Sequence, residues 1–239
     1  MSRRSRFVIP QRPCPDIAEA IRLIRRELPF GYSSDRLWRA PFTLASYAIE
    51  GKGSRNYVFV KQMMYGDTGA WNELMTRITS AVIDYMNYQI DSGVQAVQLF
   101  DSWVGCLSPA DYREYVMPHS RRLMESIAGR VPVIHFGTGN PALAPLMAEA
   151  GGDVLALDWR TPLMETWNET GVTAVQGNLD PIVLCASRET VIAKATTLLE
   201  EVGGRPGHIF NLGHGIIPET PVDNVKALVE CVQSFRPAS

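Results

Sequence analysis

The chain has 239 residues, 46% hydrophobic and 20% charged, a balance typical of a globular protein that excludes a largely disordered one. Its formal net charge of −2 excludes the broad basic surface with which proteins bind nucleic acid. The four cysteines lack the spacing of a metal finger, and no apolar run approaches the ~20 residues that span a bilayer. We therefore predict a reduced, cytoplasmic protein that binds neither nucleic acid nor a membrane.

The first half of the chain contains two predicted helices and a strand. Residues 1–15 are expected to be disordered, and the first predicted helix covers residues 17–28. Apolar residues at helical spacing predict one amphipathic helix over residues 69–91. The apolar run 96–100 then predicts a buried strand.

The same alternation of helix and strand repeats along the rest of the chain. Ser108, followed by a proline, predicts the start of a helix that runs to about Gly129. Further predicted strands cover residues 131–136, 154–157, 172–176 and 208–212, and helices follow them near 141–150, 161–169, 188–203 and 221–235. Such β-α units predict an α/β fold with a parallel sheet. They fit either an open doubly wound sheet or most of an eight-stranded (β/α) barrel.

Polar residues follow the predicted strands at the point where each strand ends. These clusters are Asp101-Ser102, 137–140, Asp158-Trp159-Arg160, 177–180 and Gly213-His214-Gly215. In a parallel (β/α) barrel the active site lies at this edge. No glycine motif of the dinucleotide-binding type follows any strand, so a barrel with a single active face is favoured.

Several strings of residues resemble one known family, uroporphyrinogen decarboxylase. They are P-F-T-L-A-S-Y-A-I-E-G (41–51), L-F-D-S-W (99–103), L-S-P-A-D-Y-R-E-Y-V (107–116), L-D-W-R (157–160), Q-G-N-L-D-P (176–181) and R-P-G-H-I-F-N-L-G-H-G-I (205–216). The resemblance implies a (β/α)8 TIM barrel, a homodimer, and no metal or organic cofactor. It also implies a carboxy-lyase that converts uroporphyrinogen III to coproporphyrinogen III in haem biosynthesis, by removing CO2 from the four acetate side chains of this porphyrinogen substrate.

The resemblance also implies roles for three residues at the polar edge. Tyr47 in T-L-A-S-Y and His214 in N-L-G-H-G correspond to catalytic and substrate-binding positions, and Ser102 in F-D-S-W to a substrate-binding serine. Arg160 is expected either to meet a substrate carboxylate or to form a structural ion pair. Two roles, a place in the site or a cap of the following helix, stay open for Asp101, Asp158 and Asp180.

The chain departs from the family in its first part. The family's R-Q-A-G-R segment and the aspartate of its second strand, which the resemblance assigns to substrate carboxylates and pyrrole nitrogens, have no match here. We expect one domain over residues 1–239, an incomplete barrel with the first two strands absent and the third altered. Residues 31–38 are largely polar where an apolar strand is expected. Each of them can be encoded by the codons of the expected strand when these are read one base out of frame. We therefore hypothesise a local frameshift, which the coding DNA tests.

Two alternatives to an active decarboxylase remain at this point. One is an inactive fragment, or a remnant that binds porphyrinogen or pairs with a full-length subunit, because the arginine segment and the aspartate are not found. The other is a zinc-dependent methyltransferase of the same superfamily. Such enzymes place H-x-C at a strand end, where this chain has His135-Phe136-Gly137 and no thiolate ligand.

Overall fold

The computed structural model describes residues 15–29, 35–51 and 53–237. Its strands are β1 (Asp35–Arg39), β2 (Ala96–Asp101), β3 (Val133–Gly137), β4 (Val154–Ala156), β5 (Ala174–Leu179) and β6 (His208–Leu212). They form one parallel sheet in the order β1-β2-β3-β4-β5-β6, so each strand pairs with the next along the chain. A doubly wound sheet reverses its strand order at a switch point, and this sheet does not. The predicted incomplete (β/α) barrel is therefore confirmed.

Ten α-helices accompany the sheet within the described residues. They are α1 (Pro15–Glu27), α2 (Pro41–Glu50), α3 (Val58–Gly66), α4 (Thr68–Asp91), α5 (Pro109–Tyr115), α6 (Met117–Ile127), α7 (Ala144–Ala150), α8 (Leu163–Thr170), α9 (Arg188–Val202) and α10 (Val222–Ser234). None of these described helices is both long and apolar enough to cross a membrane. Of the segment expected to be disordered, residues 1–14 lie outside the described residues, and α1 begins at Pro15.

The helix predicted from Ser108 to about Gly129 is in fact two helices, α5 and α6. Ser108 caps the first as predicted, since its hydroxyl accepts a hydrogen bond from the Asp111 N–H at 3.1 Å. The break lies at Val116, whose φ of −124° departs from helical values. Pro118 explains the break, because proline has no N–H to donate and its ring clashes with the carbonyl one turn earlier.

Side chains of the strands point alternately to two faces of the sheet. One face packs against the helices in the main apolar core, which includes Val97, Leu99 and Leu155. The other face carries a smaller apolar cluster formed by Ile134, Phe136, Val154 and Ala156, with Phe100 and Ala174 packed against it. We call this second face the inner face, because in a barrel it faces the axis.

The strand β1 lies where the altered third strand of the barrel is expected, and it is a regular strand. It pairs with β2 in register, from Asp35 opposite Ala96 to Arg39 opposite Phe100. Trp38 anchors it to α4 by stacking on Tyr85, with ring centroids 4.3 Å apart. A regular strand here weakens the frameshift hypothesis, which stays a prediction until the coding DNA is read. Its polar residues do not prevent the strand, because the hydrogen bonds of a sheet come from the backbone. The Trp38 side chain supplies the packing against α4.

Each outer strand of the sheet has one unpaired edge within the described residues. β1 pairs only with β2, and β6 pairs only with β5. Leu37 of β1 and Ile209 of β6 lie on the inner face, and they are 59% and 43% exposed. The structure therefore has the open edges that the sequence predicts for an incomplete barrel, with exposed apolar side chains on the outer strands, whereas the apolar cluster at the centre of the inner face is buried.

Candidate active site

Tyr47 lies on α2, which leads away from the carboxyl end of β1. The helix starts at a proline, Pro41, and ends at Gly51, whose φ of 74° suits glycine. The Tyr47 ring is half-buried and meets the Trp103 ring edge-on, with centroids 5.9 Å apart. The Arg39 guanidinium lies over the same ring, 4.8 Å from its centroid. Tyr47 is therefore held between an aromatic and a cationic neighbour.

Asp101, the last residue of β2, anchors the start of α2. Its carboxylate accepts a hydrogen bond from the Thr43 hydroxyl at 2.9 Å, and the Thr43 backbone N–H also donates to it. Burial raises the pKa of Asp101 to about 7, although these two hydrogen bonds act in the opposite direction. Its other carboxyl oxygen has no partner among the described residues. Asp101 thus caps the helix that carries Tyr47 rather than the helix that follows it in sequence.

Ser102 follows β2 directly and is half-buried at the same edge of the sheet. Its hydroxyl makes no hydrogen bond to any other residue in the described ranges. A hydroxyl in this position is free to donate to, or accept from, a bound molecule.

His214 follows β6 and is exposed at the same edge of the sheet. Its ring lies edge-on to the rings of Phe136 and Trp159, with both centroid distances 6.4 Å. Gly213 makes this approach possible, because a Cβ atom there would lie 2.3 Å from the Trp159 backbone nitrogen. Gly215 has nothing within 4 Å of the same position, so only one of the two flanking glycines is required by packing.

Aromatic rings form a continuous surface at this edge. Phe100 and Phe136, which are register partners on β2 and β3, have ring centroids 5.2 Å apart. His214 extends the contact from Phe136 to Trp159. We call these four residues the aromatic floor. Phe136 is buried within it, at 4% exposure, and Tyr47 and Ser102 lie at the edge of the sheet that it occupies.

Asp158 joins the loops that follow β3 and β4. Its carboxylate accepts hydrogen bonds from the Thr138 hydroxyl at 2.8 Å and the Gly139 N–H at 2.7 Å. Burial alone would raise the pKa of Asp158, but these bonds and those from Arg160 hold it below its usual value. The Arg160 guanidinium donates to the same carboxylate at 3.0 Å, which makes it a structural ion pair.

Asp180 has the second of its two predicted roles, that of a cap on the element that follows it. Its carboxylate accepts a hydrogen bond at 2.9 Å from the N–H of Ile182, in the short 3-10 helix Pro181–Cys185. It therefore caps that turn.

The geometry gives no support to a zinc-dependent methyltransferase. His135 lies on the helix-facing side of β3, where its Nδ1 is 3.2 Å from the Met147 carbonyl oxygen and 3.3 Å from that of Gly151. Gly137 faces the same way, and a Cβ there would lie 2.5 Å from the Met147 sulfur. Among the described residues, no group of three or more His, Cys, Asp or Glu side chains is placed to hold a metal.

The sequence matches the family model described as uroporphyrinogen decarboxylase (URO-D) over residues 5–235. The chain belongs to the uroporphyrinogen decarboxylase family. The uroporphyrinogen decarboxylase of Sorangium cellulosum is 50% identical over 238 residues, covering 99% of this chain and 68% of that protein. That of Chloroflexus aurantiacus is 51% identical over 226 residues, covering 90% of this chain and 62% of that protein. The chain thus spans 62–68% of the length of these relatives.

Solved structures share the fold. A methyltransferase from Methanosarcina mazei has a TM-score of 0.77 and 24% identity, covering 92% of this chain and 64% of that chain. A putative vitamin-B12-independent methionine synthase from Listeria monocytogenes has a TM-score of 0.60 and 12% identity, covering 92% of this chain and 70% of that one. At these identities the likeness concerns the fold alone. The predicted family and its carboxy-lyase function are confirmed by the uroporphyrinogen decarboxylase relatives.

The sequence predicted three site residues but not their surroundings. Tyr47, Ser102 and His214 all lie at the carboxyl edge of the sheet, as expected, and their contact with substrate stays a prediction. The aromatic floor was missed, although strand alternation places Phe100 and Phe136 on one face once the register is known. Arg39 was missed because its strand was expected to be altered and the nearest family motif begins only at Pro41.

Proposed function

We propose that this chain binds a porphyrinogen on the aromatic floor and contributes that surface to a uroporphyrinogen decarboxylase. The observation that carries the proposal is the set of aromatic rings at the carboxyl edge of a parallel sheet, with Tyr47, Ser102 and His214 at the same edge. Aromatic surfaces suit a large substrate built of four pyrrole rings, and the polar groups around them suit its carboxylates. The membership of the family supports the substrate.

The chemistry assigns distinct tasks to the polar residues. Loss of CO2 from an acetate on a pyrrole is easier once a ring carbon is protonated, because the cation accepts the electrons of the breaking bond. An enzyme must therefore supply a proton, stabilise positive charge and hold the remaining carboxylates. In the proposed site the hydroxyls of Tyr47 and Ser102 donate hydrogen bonds to carboxylates, and the imidazole of His214 contacts the macrocycle beside Trp159.

A second candidate function is that of a binding fragment without turnover of its own. The unpaired edges of β1 and β6, and the exposed Leu37 and Ile209, favour it. We propose that further strands pair with these two edges in the active enzyme. Those strands would also cover Leu37 and Ile209, and they would bring the arginine and aspartate side chains that the family resemblance assigns to substrate carboxylates and pyrrole nitrogens.

One experiment separates the two candidates. The purified chain is assayed for loss of uroporphyrinogen and formation of coproporphyrinogen, first alone and then with a polypeptide covering the part of the Sorangium relative that this chain does not span. We expect binding by the chain alone and turnover only with the added polypeptide. Robust turnover by the chain alone would refute the fragment. Failure to bind the tetrapyrrole under either condition would refute the proposed function.

The assembly and the location of the protein are further parts of the proposal. The family resemblance implies a homodimer, and exposed apolar side chains at the start of α3 support one, since Val58 and Phe59 are 48% and 60% exposed. Light scattering coupled to gel filtration tests the dimer.

A cytoplasmic location is supported by the three described cysteines, Cys106, Cys185 and Cys231, all of which are free. Cell fractionation tests it.

A further inference from the structure

Arg39 is a charged side chain at the site that no family motif in the sequence includes. It is the last residue of β1, and its register partner on β2 is Phe100. Paired residues of parallel strands share a face of the sheet. Because Phe100 packs with Phe136 on the inner face, Arg39 lies on the inner face too, beside the aromatic floor.

The charge of Arg39 is unmatched within the described part of the chain. Its guanidinium contacts the Tyr47 ring, 4.8 Å from the centroid, but no described carboxylate forms an ion pair with it. Arg160 gives the contrast at the same edge. It also lies over an aromatic ring, 3.8 Å from the Trp159 centroid, yet its charge is matched by Asp158 at 3.0 Å. Arg39 is therefore a cation held in place by an aromatic ring with its hydrogen-bond donors unused.

This combination suits a carboxylate. A guanidinium offers a planar fork of N–H donors that can bind both oxygens of one carboxylate, and such charge-assisted pairs are stronger than neutral hydrogen bonds. A neighbouring phenol hydroxyl, that of Tyr47, can donate to the same anion. The contact with the ring limits the positions that the guanidinium adopts, which lowers the entropy lost on binding.

We propose that Arg39 binds a side-chain carboxylate of the tetrapyrrole, next to Tyr47. The inference rests on the proposed function, since it takes its ligand from there. It adds a residue from the segment in which this chain departs from its family. The resemblance assigns carboxylate binding to an arginine segment that has no match here, and Arg39 provides one such contact from β1 instead.

Binding of uroporphyrin, the stable oxidised form of the proposed substrate with eight carboxylates, tests the inference by fluorescence titration of the whole chain. We expect Arg39→Gln to weaken binding about ten-fold and to reduce its dependence on salt. Arg39→Lys keeps the charge but loses the planar fork, so its affinity should lie between those of the wild type and Arg39→Gln.

Arg36→Gln is the matched control. Arg36 lies on the same strand, but it pairs with Val97, which is buried in the helix-facing core, so its side chain belongs to the opposite face. We expect its affinity for uroporphyrin to stay within two-fold of the wild type. Thermal melting of each variant shows whether the fold is kept, and Arg39 is exposed, so its replacement should not disturb the core.

The outcomes separate the inference from the proposed function. If the wild type binds uroporphyrin and Arg39→Gln binds equally well, the inference fails and the proposed function stands. An equal loss in Arg36→Gln and Arg39→Gln would also overturn the inference, because it would indicate general electrostatic attraction rather than contact. If the wild type binds neither uroporphyrin nor, under anaerobic conditions, uroporphyrinogen, both fail.

Discussion

At the scale of single residues, two buried titratable groups have opposite effects on how stability depends on pH. Asp101 and His135 are both fully buried, at 0% exposure. Burial raises the pKa of Asp101 to about 7 and lowers the pKa of His135 to about 4, because in each case it disfavours the charged form. Between pH 4 and 6.5 the folded chain therefore keeps Asp101 protonated and His135 neutral.

Replacing Asp101 by asparagine should stabilise the protein at high pH. The unfolded carboxyl ionises at 3.8 and the folded one at about 7, so its contribution to the free energy of unfolding falls as pH rises through that window. We expect Asp101→Asn to have little effect near pH 4 and to add roughly 2–4 kcal/mol at pH 8. Urea unfolding at both pH values measures this, with the exposed Asp84→Asn as control. If the variant is no more stable than the wild type at pH 8, burial does not destabilise the ionised Asp101 carboxylate.

Replacing His135 by leucine should change the pH dependence in the opposite sense. The unfolded histidine gains a proton below 6.5 and the folded one only below about 4, so its contribution to stability is lost as pH falls between these values. We expect the destabilisation caused by His135→Leu to be about 3 kcal/mol smaller at pH 4 than at pH 7. Unfolding curves across this range, with His214→Gln as the exposed control, measure it. If the free energies of unfolding of His135→Leu and the wild type change with pH in parallel, His135 makes no pH-dependent contribution to stability.

At the scale of elements, the loop after β6 depends on a close approach to the loop after β4. Gly213 makes the approach, because a Cβ there would lie 2.3 Å from the Trp159 nitrogen, while Gly215 has open space around it. We expect Gly213→Ala to lower the free energy of unfolding by roughly 1–3 kcal/mol and Gly215→Ala to change it by less than about 0.5 kcal/mol. Urea unfolding measures both. Equal effects would mean that the loops are not in contact.

Elements also show how well the sequence predicted local structure. The long helix over residues 69–91 was predicted almost to its ends, because its apolar periodicity is long and uninterrupted. The segment from Ser108 to Gly129 was predicted as one helix and is two. Its apolar pattern continues across the break, and the effect of Pro118 on the backbone is local.

At the scale of the whole molecule, the inner face is buried at its centre and exposes apolar side chains only on its outer strands. Leu37 is 59% exposed there, so its replacement removes little buried apolar area. We expect Leu37→Gln to reduce self-association, measured by light scattering, with little loss of stability. Leu99→Gln is the control, because Leu99 is fully buried on the neighbouring strand and its loss should cost about 2–5 kcal/mol. Unchanged self-association in Leu37→Gln would show that the inner face is not its cause.

The sequence by itself determined the family, the alternation of strands and helices, and the edge of the sheet where polar residues collect. These features are local in the chain, since each depends on a short motif, a periodicity or a residue at a strand end. Tyr47, Ser102 and His214 could be predicted for that reason. Their contact with substrate stays a prediction.

Only the tertiary structure decided which side chains meet. The order of the strands separated a barrel from a doubly wound sheet, and the register of β1 with β2 put Arg39 beside Phe100. The roles of Asp101 and Asp158 also depend on partners from other elements, Thr43 and Thr138. Such contacts join residues that are distant in sequence, so no local pattern encodes them, and the register and packing of the sheet bring them together.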